Sequence, residues 1–174
     1  MKSMLRLSLV LCLLLVSAAS PAQIFKRDPG DEIVQPDEET LQLPPMPGES
    51  LFPFDPVFQT PLSFYIDLSS IRIGRTDRIA RYTLVAKGDS GASNVSYEGL
   101  RCDTNERKIY AYGGRDGKWS PVREPQWKEV DKNKEAYRHT LFKDYFCPRG
   151  SIVGSEREAI DALKRGGHPK ALTD

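Results

Sequence analysis

The chain has 174 residues, with 13 Pro, 13 Gly and 39% hydrophobic side chains, enough for one folded domain and too few for a second of ordinary size. Its 25 basic and 24 acidic side chains nearly cancel, and two of the basic ones fall in the first 22 residues, so the remainder carries a net charge of −1. That balance excludes a dedicated nucleic-acid binder, which needs a basic excess.

Residues 1–22 read as an export signal. Lys2 and Arg6 make a positive start, Leu7 to Val16 is an apolar run, and Ser17 to Ala22 are small residues plus Pro21, with cleavage expected after Ala22. The apolar stretch from Leu7 to Ala19 is about 13 residues against the roughly 20 that span a membrane, so no transmembrane anchor is expected in the mature chain. Cleavage also removes Cys12 and leaves Cys102 and Cys147 in a chain sent to an oxidising compartment, which predicts a disulfide between them. Neither has a second Cys or His at ligand spacing, so a metal site is not expected.

Residues 23–61 read as a Pro-rich acidic linker or arm, and 62–174 as a single domain. From residue 26 to 61 lie eight of the 13 Pro and eight acidic side chains against Lys26 and Arg27 alone, with no helical or strand periodicity. The part before Glu49 is expected to be merely soluble and extended. The apolar cluster after it, Leu51, Phe52, Phe54, Val57 and Phe58, is expected to pack on the domain, because so dense a cluster is costly to leave in water.

From Leu62 the pattern turns to period two, with Leu62, Phe64, Ile66 and Leu68 alternating with Ser63, Tyr65, Asp67 and Ser69, the signature of a half-buried strand. Ile71 to Gly74 predicts a short second strand, and Ala80 to Lys87, Asn94 to Cys102 and Arg107 to Tyr112 predict further ones before Trp119. After Pro125 the period lengthens: Tyr137, Leu141 and Tyr145 recur beside Phe142 and Phe146 in a helix that must end before Pro148. A second helix starts at Ser155, boxed with Glu158, and stops at Gly166 and Gly167. The expected fold is α+β, an antiparallel β-meander of five or six strands with two C-terminal helices packed on one face.

Gly88, Asp89, Ser90 and Gly91 spell the string around the nucleophile of chymotrypsin-like proteases, but both histidines follow it, the second glycine is missing and the domain is about half the required size. The same residues make a hairpin turn, and that is the reading adopted. His139, beside Arg138, is expected on a charged, solvent-exposed helix face, and His168 as a cap or surface-contact residue. Arg72, Arg75, Arg78 and Arg81 are read as surface charge. No H-E-x-x-H, paired C-x-x-C, Walker loop or G-x-S-x-G elbow occurs, so no catalytic residue and no cofactor is assigned. Carboxylates such as Asp67, Glu98 and Asp144 leave open an enzyme that works without histidine.

The run Ile109 to Lys128 interleaves Tyr110, Tyr112, Trp119 and Trp127 with Arg115, Lys118, Arg123 and Lys128, a mixture suited to sugars, anionic glycans or peptide stretches. Tyr97, Arg101, Tyr112, Trp119 and Trp127 are the candidate contact residues. The competing reading makes two of the aromatics core and the charges solvated loop residues.

RYTLVA at Arg81 to Ala86, NVSYEGLRC at Asn94 to Cys102, YAYG at Tyr110 to Gly113, PQW at Pro125 to Trp127, LFKDYFCP at Leu141 to Pro148 and GGHP at Gly166 to Pro169 carry a resemblance to the cryptic neisserial protein-like family of small exported bacterial proteins. It runs from about Glu49 to Pro169 and leaves the preceding stretch outside. The resemblance implies a proteobacterial cell-envelope setting and no activity. The function expected is therefore that of an exported periplasmic protein, a non-enzymatic binding or accessory domain for a protein or glycan component of the envelope. The alternatives are a small envelope hydrolase or transferase using carboxylates, and an inhibitor of a secreted enzyme presenting a loop such as Gly113 to Gly117.

Overall fold

A computed structural model describes residues 36–48, 50–56 and 60–171; the expected signal segment, Cys12, Glu49, Val57 and Phe58 lie outside the described residues. The described strands are β1 (Leu51–Phe54), β2 (Leu62–Ile73), β3 (Ile79–Gly88), β4 (Ser93–Arg101), β5 (Glu106–Gly113), β6 (Trp119–Pro121) and β7 (Lys128–Glu129). They pair antiparallel in the order β1-β2-β3-β4-β5-β6, with β7 also on β5, which is the expected meander.

The two strands expected between Leu62 and Gly74 are one strand whose register shifts between Asp67 and Arg72. Side chains bridge the irregularity: Ser69 donates its N–H and hydroxyl to Asp67 at 2.9 and 2.7 Å, and Ser70 Oγ accepts the Thr83 N–H at 2.7 Å where a ladder bond would otherwise run. β1 has no periodicity to betray it. It contains Pro53, which only an edge strand tolerates, and β1 is the edge of the sheet. Gly88 to Ala92 forms the β3–β4 turn, with Gly91 at φ 81° and Ser90 exposed, so the protease-like string is a hairpin turn.

The helices cover one face of the sheet. α1 (Ala136–Thr140) runs on into a wider π-helical turn, Leu141–Phe146, and ends before Pro148; α2 (Glu156–Lys164) is capped by Ser155, which accepts the Glu158 N–H. The Glu158 carboxylate does not return to Ser155 but takes the Gly154 N–H at 2.7 Å and meets His168 Nε2 at 2.9 Å. Between sheet and helices lie Phe64, Ile66, Tyr82, Leu84 and Leu100 against Leu141, Tyr145, Phe146 and Leu163, with Tyr82 stacked on Phe146 at 4.9 Å between ring centres. Phe54 joins this core beside Phe64 and Tyr145, the packing expected for the apolar end of the arm. The predicted disulfide is present: Cys102, just past β4, is bonded to Cys147 at the end of the π-helical turn. No helix among the described residues is long and apolar enough to cross a membrane.

A charge is also buried here. Glu98 on β4 is 0% exposed and accepts from Arg138 Nε at 2.8 Å, Arg138 Nη2 at 2.7 Å and Ser96 Oγ at 2.5 Å. Arg138 also donates to Glu135, which holds Arg107 in turn. His139, expected at the solvent on this charged helix face, is half-buried, and Arg138 beside it is buried, drawn inward by the carboxylate beneath it.

Candidate functional site

The face of the sheet away from the helices is covered by the arm. Pro36, Pro44, Pro45 and Pro47 fix φ and remove N–H donors, so residues 36–48 have no regular secondary structure and cannot pair as a strand. They are held by other means. Glu38 presents its carboxylate to Lys108 Nζ, to the Tyr110 hydroxyl at 3.1 Å and to Trp127 Nε1 at 2.9 Å. Glu39 donates its N–H to Asp77 at 2.8 Å and accepts the Thr76 N–H at 2.9 Å. The Pro44 carbonyl accepts Trp119 Nε1 at 2.7 Å. For residues 36–48 the expectation of a merely soluble segment before Glu49 is thereby corrected: their acidic and main-chain groups complement cations and indoles on the sheet.

Beneath the arm the aromatics form one patch. Tyr97 contacts Tyr110 at 6.0 Å and Trp119 at 6.2 Å between ring centres, and Trp127 lies over Arg101 at 4.2 Å and Lys108 at 4.7 Å. Four of the five candidate residues thus share a face. Tyr97 and Arg101 are buried in it, and Trp119 and Trp127 are half-buried with their N–H groups engaged by the arm. Tyr112 does not belong with them. A register irregularity at Tyr97 and Glu98 pairs Tyr97 with Ala111 and Ser96 with Tyr112, so Tyr112 projects to the helix side, where it is 50% exposed.

The cations that matter are not those of the Ile109 to Lys128 run, since Arg115, Lys118, Arg123 and Lys128 are exposed. They are Arg101, Lys108 and Arg81. Arg81 was read as surface charge but is 5% exposed, paired with Asp77 four residues earlier and 5.7 Å from the Tyr110 ring centre. Between arm residues Glu39 to Gln42 and the side chains of Arg72, Arg75, Arg81 and Tyr97 an open cavity of about 510 Å³ remains.

Burial alone would raise the Glu38 pKa, but hydrogen bonds from Lys108 and Trp127 and the Lys108 charge outweigh it and hold the group below its ordinary 4.5. A carboxylate lowered on folding stabilises fully above its ordinary value and loses that contribution as pH falls through the lowered one. The expected result is a change in tryptophan fluorescence on acidification that Glu38→Gln abolishes, because Trp127 loses the same partner.

His168 is 5% exposed and so is not the expected surface-contact residue: Nδ1 accepts the Lys170 N–H at 3.1 Å, and Nε2 meets Glu158 in the first turn of α2, tying the chain after the helix back to its start. Asp67 and Glu98 are likewise occupied in the fold. Asp144 differs: burial pushes its carboxyl up, and it lines a cavity of about 560 Å³ with Asp55, Thr140 and Tyr145.

Among known proteins, the model of the CNP1-like family matches residues 32–164. That span takes in arm residues 32–48, which the sequence resemblance left outside. Neither the curated proteins nor the solved structures contain a match.

Proposed function

We propose that this chain, which belongs to the CNP1-like family, is an exported periplasmic protein that serves the cell envelope as a non-enzymatic binding or accessory domain, with the arm-covered face as its binding face. The finer identity, the cryptic neisserial protein-like group of envelope proteins, is part of the same proposal. One observation carries the choice of face: an acidic side chain on an extended segment already sits there, between Lys108, Tyr110 and Trp127. Indole N–H donors and cations packed against ring faces are the chemistry by which proteins hold anionic or amphipathic chains, and here they already hold the arm. Arg101, Trp119 and Trp127 are the residues expected at the contact, with Tyr97 beneath them.

A second reading rests on Asp144. A carboxyl raised by burial beside a cavity that Asp55 also lines is the arrangement an envelope hydrolase or transferase would use as a general acid. Glu98 takes no part in it, because Arg138 and Ser96 occupy its oxygens.

One assay separates these readings: co-sedimentation of the mature chain with isolated peptidoglycan and with outer-membrane fractions at low and high salt. Pelleting that salt weakens is expected, since exposed charge contacts are screened within about 8 Å at physiological ionic strength. Failure to pellet with either fraction would overturn the envelope-binding reading. Soluble fragments released by the wild type but not by Asp144→Asn would establish the enzyme instead.

A further inference from the structure

Four lysine and arginine side chains are buried among the described residues: Arg81, Arg101, Lys108 and Arg138. Three of them meet a carboxylate, Arg81 with Asp77, Lys108 with Glu38 and Arg138 with Glu98. Arg101, at the end of β4 and 7% exposed, meets none among the described residues, and its Nε has no hydrogen-bond partner. The nearest acidic residues in sequence and register are committed elsewhere. Asp103 pairs with Arg78 at 3.8 Å, and Glu106, opposite Arg101 on β5, accepts the Thr104 hydroxyl at 2.5 Å. A guanidinium taken out of water without a counter-charge is costly, and stacking on the Trp127 indole offsets only part of that cost.

Lys108 shows what fills such a position on this face. It lies diagonally across the β4–β5 ladder from Arg101, under the same indole, and its counter-charge is a glutamate on an extended, proline-flanked peptide. Trp127 thus roofs two buried cations, one holding a carboxylate and one holding none among the described residues. The groups around them recognise peptide in particular, for Trp119 takes a main-chain carbonyl and Asp77 a main-chain N–H of the arm.

We propose that Arg101 and Trp127 form a second carboxylate subsite beside the one Glu38 fills, and that its ligand is a glutamate or aspartate on an acidic extended segment of a partner protein. This deepens the proposed function and rests on it: the envelope component is a protein, and the arm completes the site beside which the partner's acidic segment is laid.

Two measurements on the mature chain test the proposal. The first is stability. If Arg101 has no counter-charge in the free protein, Arg101→Met leaves the urea midpoint unchanged or raised, because it removes an unpaired buried charge and keeps the volume. A clear fall in the midpoint would mean that Arg101 is paired within the chain, for instance by Asp28, Asp31 or Glu32, and would overturn the proposal. The second is calorimetric titration with a synthetic twelve-residue peptide of alternating Glu and Pro, with its Gln–Pro counterpart, and with polygalacturonate. The Glu–Pro peptide is expected to bind, the Gln–Pro peptide not, and Arg101→Met to weaken binding by roughly tenfold or more, the usual size for a charge-assisted contact. No binding of the Glu–Pro peptide, equal binding by Arg101→Met, or tighter and Arg101-dependent binding of polygalacturonate would each overturn it. In the co-sedimentation assay, a variant that pellets as well as the wild type would sink this inference and leave the proposed function standing, whereas a wild type that fails to pellet would sink the function itself.

Discussion

Replacing Glu98 with Ala is expected to destabilise the protein by about 3–5 kcal/mol, the cost of leaving one member of a buried ion pair uncompensated. Glu98 is fully buried and Arg138 nearly so, and two guanidinium nitrogens reach the carboxylate at 2.7 and 2.8 Å. Removing the acid strips the acceptors from Nε and Nη2 of a buried guanidinium, and leaves Glu135 and the Tyr137 hydroxyl to hold Nη1 alone. Glu98→Gln should cost less, because an amide oxygen still accepts one of the bonds. The double replacement Glu98→Leu with Arg138→Met should recover most of the loss, since the desolvation of both charges disappears together. Urea midpoints at unchanged m-value provide the readout. A double variant no more stable than Glu98→Ala alone would show that shape, and not charge, dominates at this position.

The same pair sets an acid limit. Burial would raise the Glu98 pKa, but the charge and hydrogen bonds of Arg138, aided by Ser96, outweigh it and hold the group below its ordinary 4.5. Its contribution is therefore complete above that value and lost as pH falls through the lowered one. Stability should be nearly flat toward neutrality and fall in acid, and the Glu98→Leu, Arg138→Met variant should show a shallower fall.

Breaking the disulfide is the second large effect. Cys102 and Cys147 are 45 residues apart, and closing a loop of that length corresponds to about 4 kcal/mol of lost unfolded-state entropy, within the 2–5 kcal/mol measured when native bridges are removed from small domains. The bridge ties the end of β4 to the end of the π-helical turn, next to the Tyr82–Phe146 stack, so it fastens the helical layer to the sheet. Replacing both cysteines with Ala, or reducing the native chain, should lower the urea midpoint by a similar amount. An unchanged midpoint would mean that packing alone fixes the helical layer. Since a domain's net stability is of order 5–15 kcal/mol, either loss is a large share of the whole.

The sheet could be read in the sequence because period-two alternation survives where one face is partly open, as around Phe64 and Ile66 of β2, and because β3, buried on both faces, is rich in strand formers. β1 could not, because Pro53 and its neighbours give no alternation and the strand exists only through its pairing with β2. The helix from Tyr137 to Phe146 was visible from its aromatic spacing, but the wider turn within it was not, since the distortion follows from tertiary packing. At the candidate site, residue types singled out Trp119, Trp127 and Arg101, which share a face, while Tyr112 lies on the opposite one because one register irregularity reverses the face of every later residue on the strand. Glu38 left no signal, for its partners Lys108, Tyr110 and Trp127 are 70 to 89 residues away. Arg81 left a faint one: it sits in the row Ile79, Thr83 and Val85 of β3, all buried, with Asp77 four residues earlier to neutralise it.

If the arm-covered face, and not the helical side, meets the envelope, substitutions on the two faces will differ in their effect. The most direct measurement compares Trp127→Ala with Tyr112→Ala in the co-sedimentation assay, after circular dichroism has shown both variants folded. Trp127 lies over Arg101 and Lys108 on the arm side, whereas Tyr112 is exposed on the other. Trp127→Ala is expected to lose salt-sensitive pelleting and Tyr112→Ala to keep it. Pelleting lost with Tyr112→Ala, or retained in full by Trp127→Ala, would contradict it.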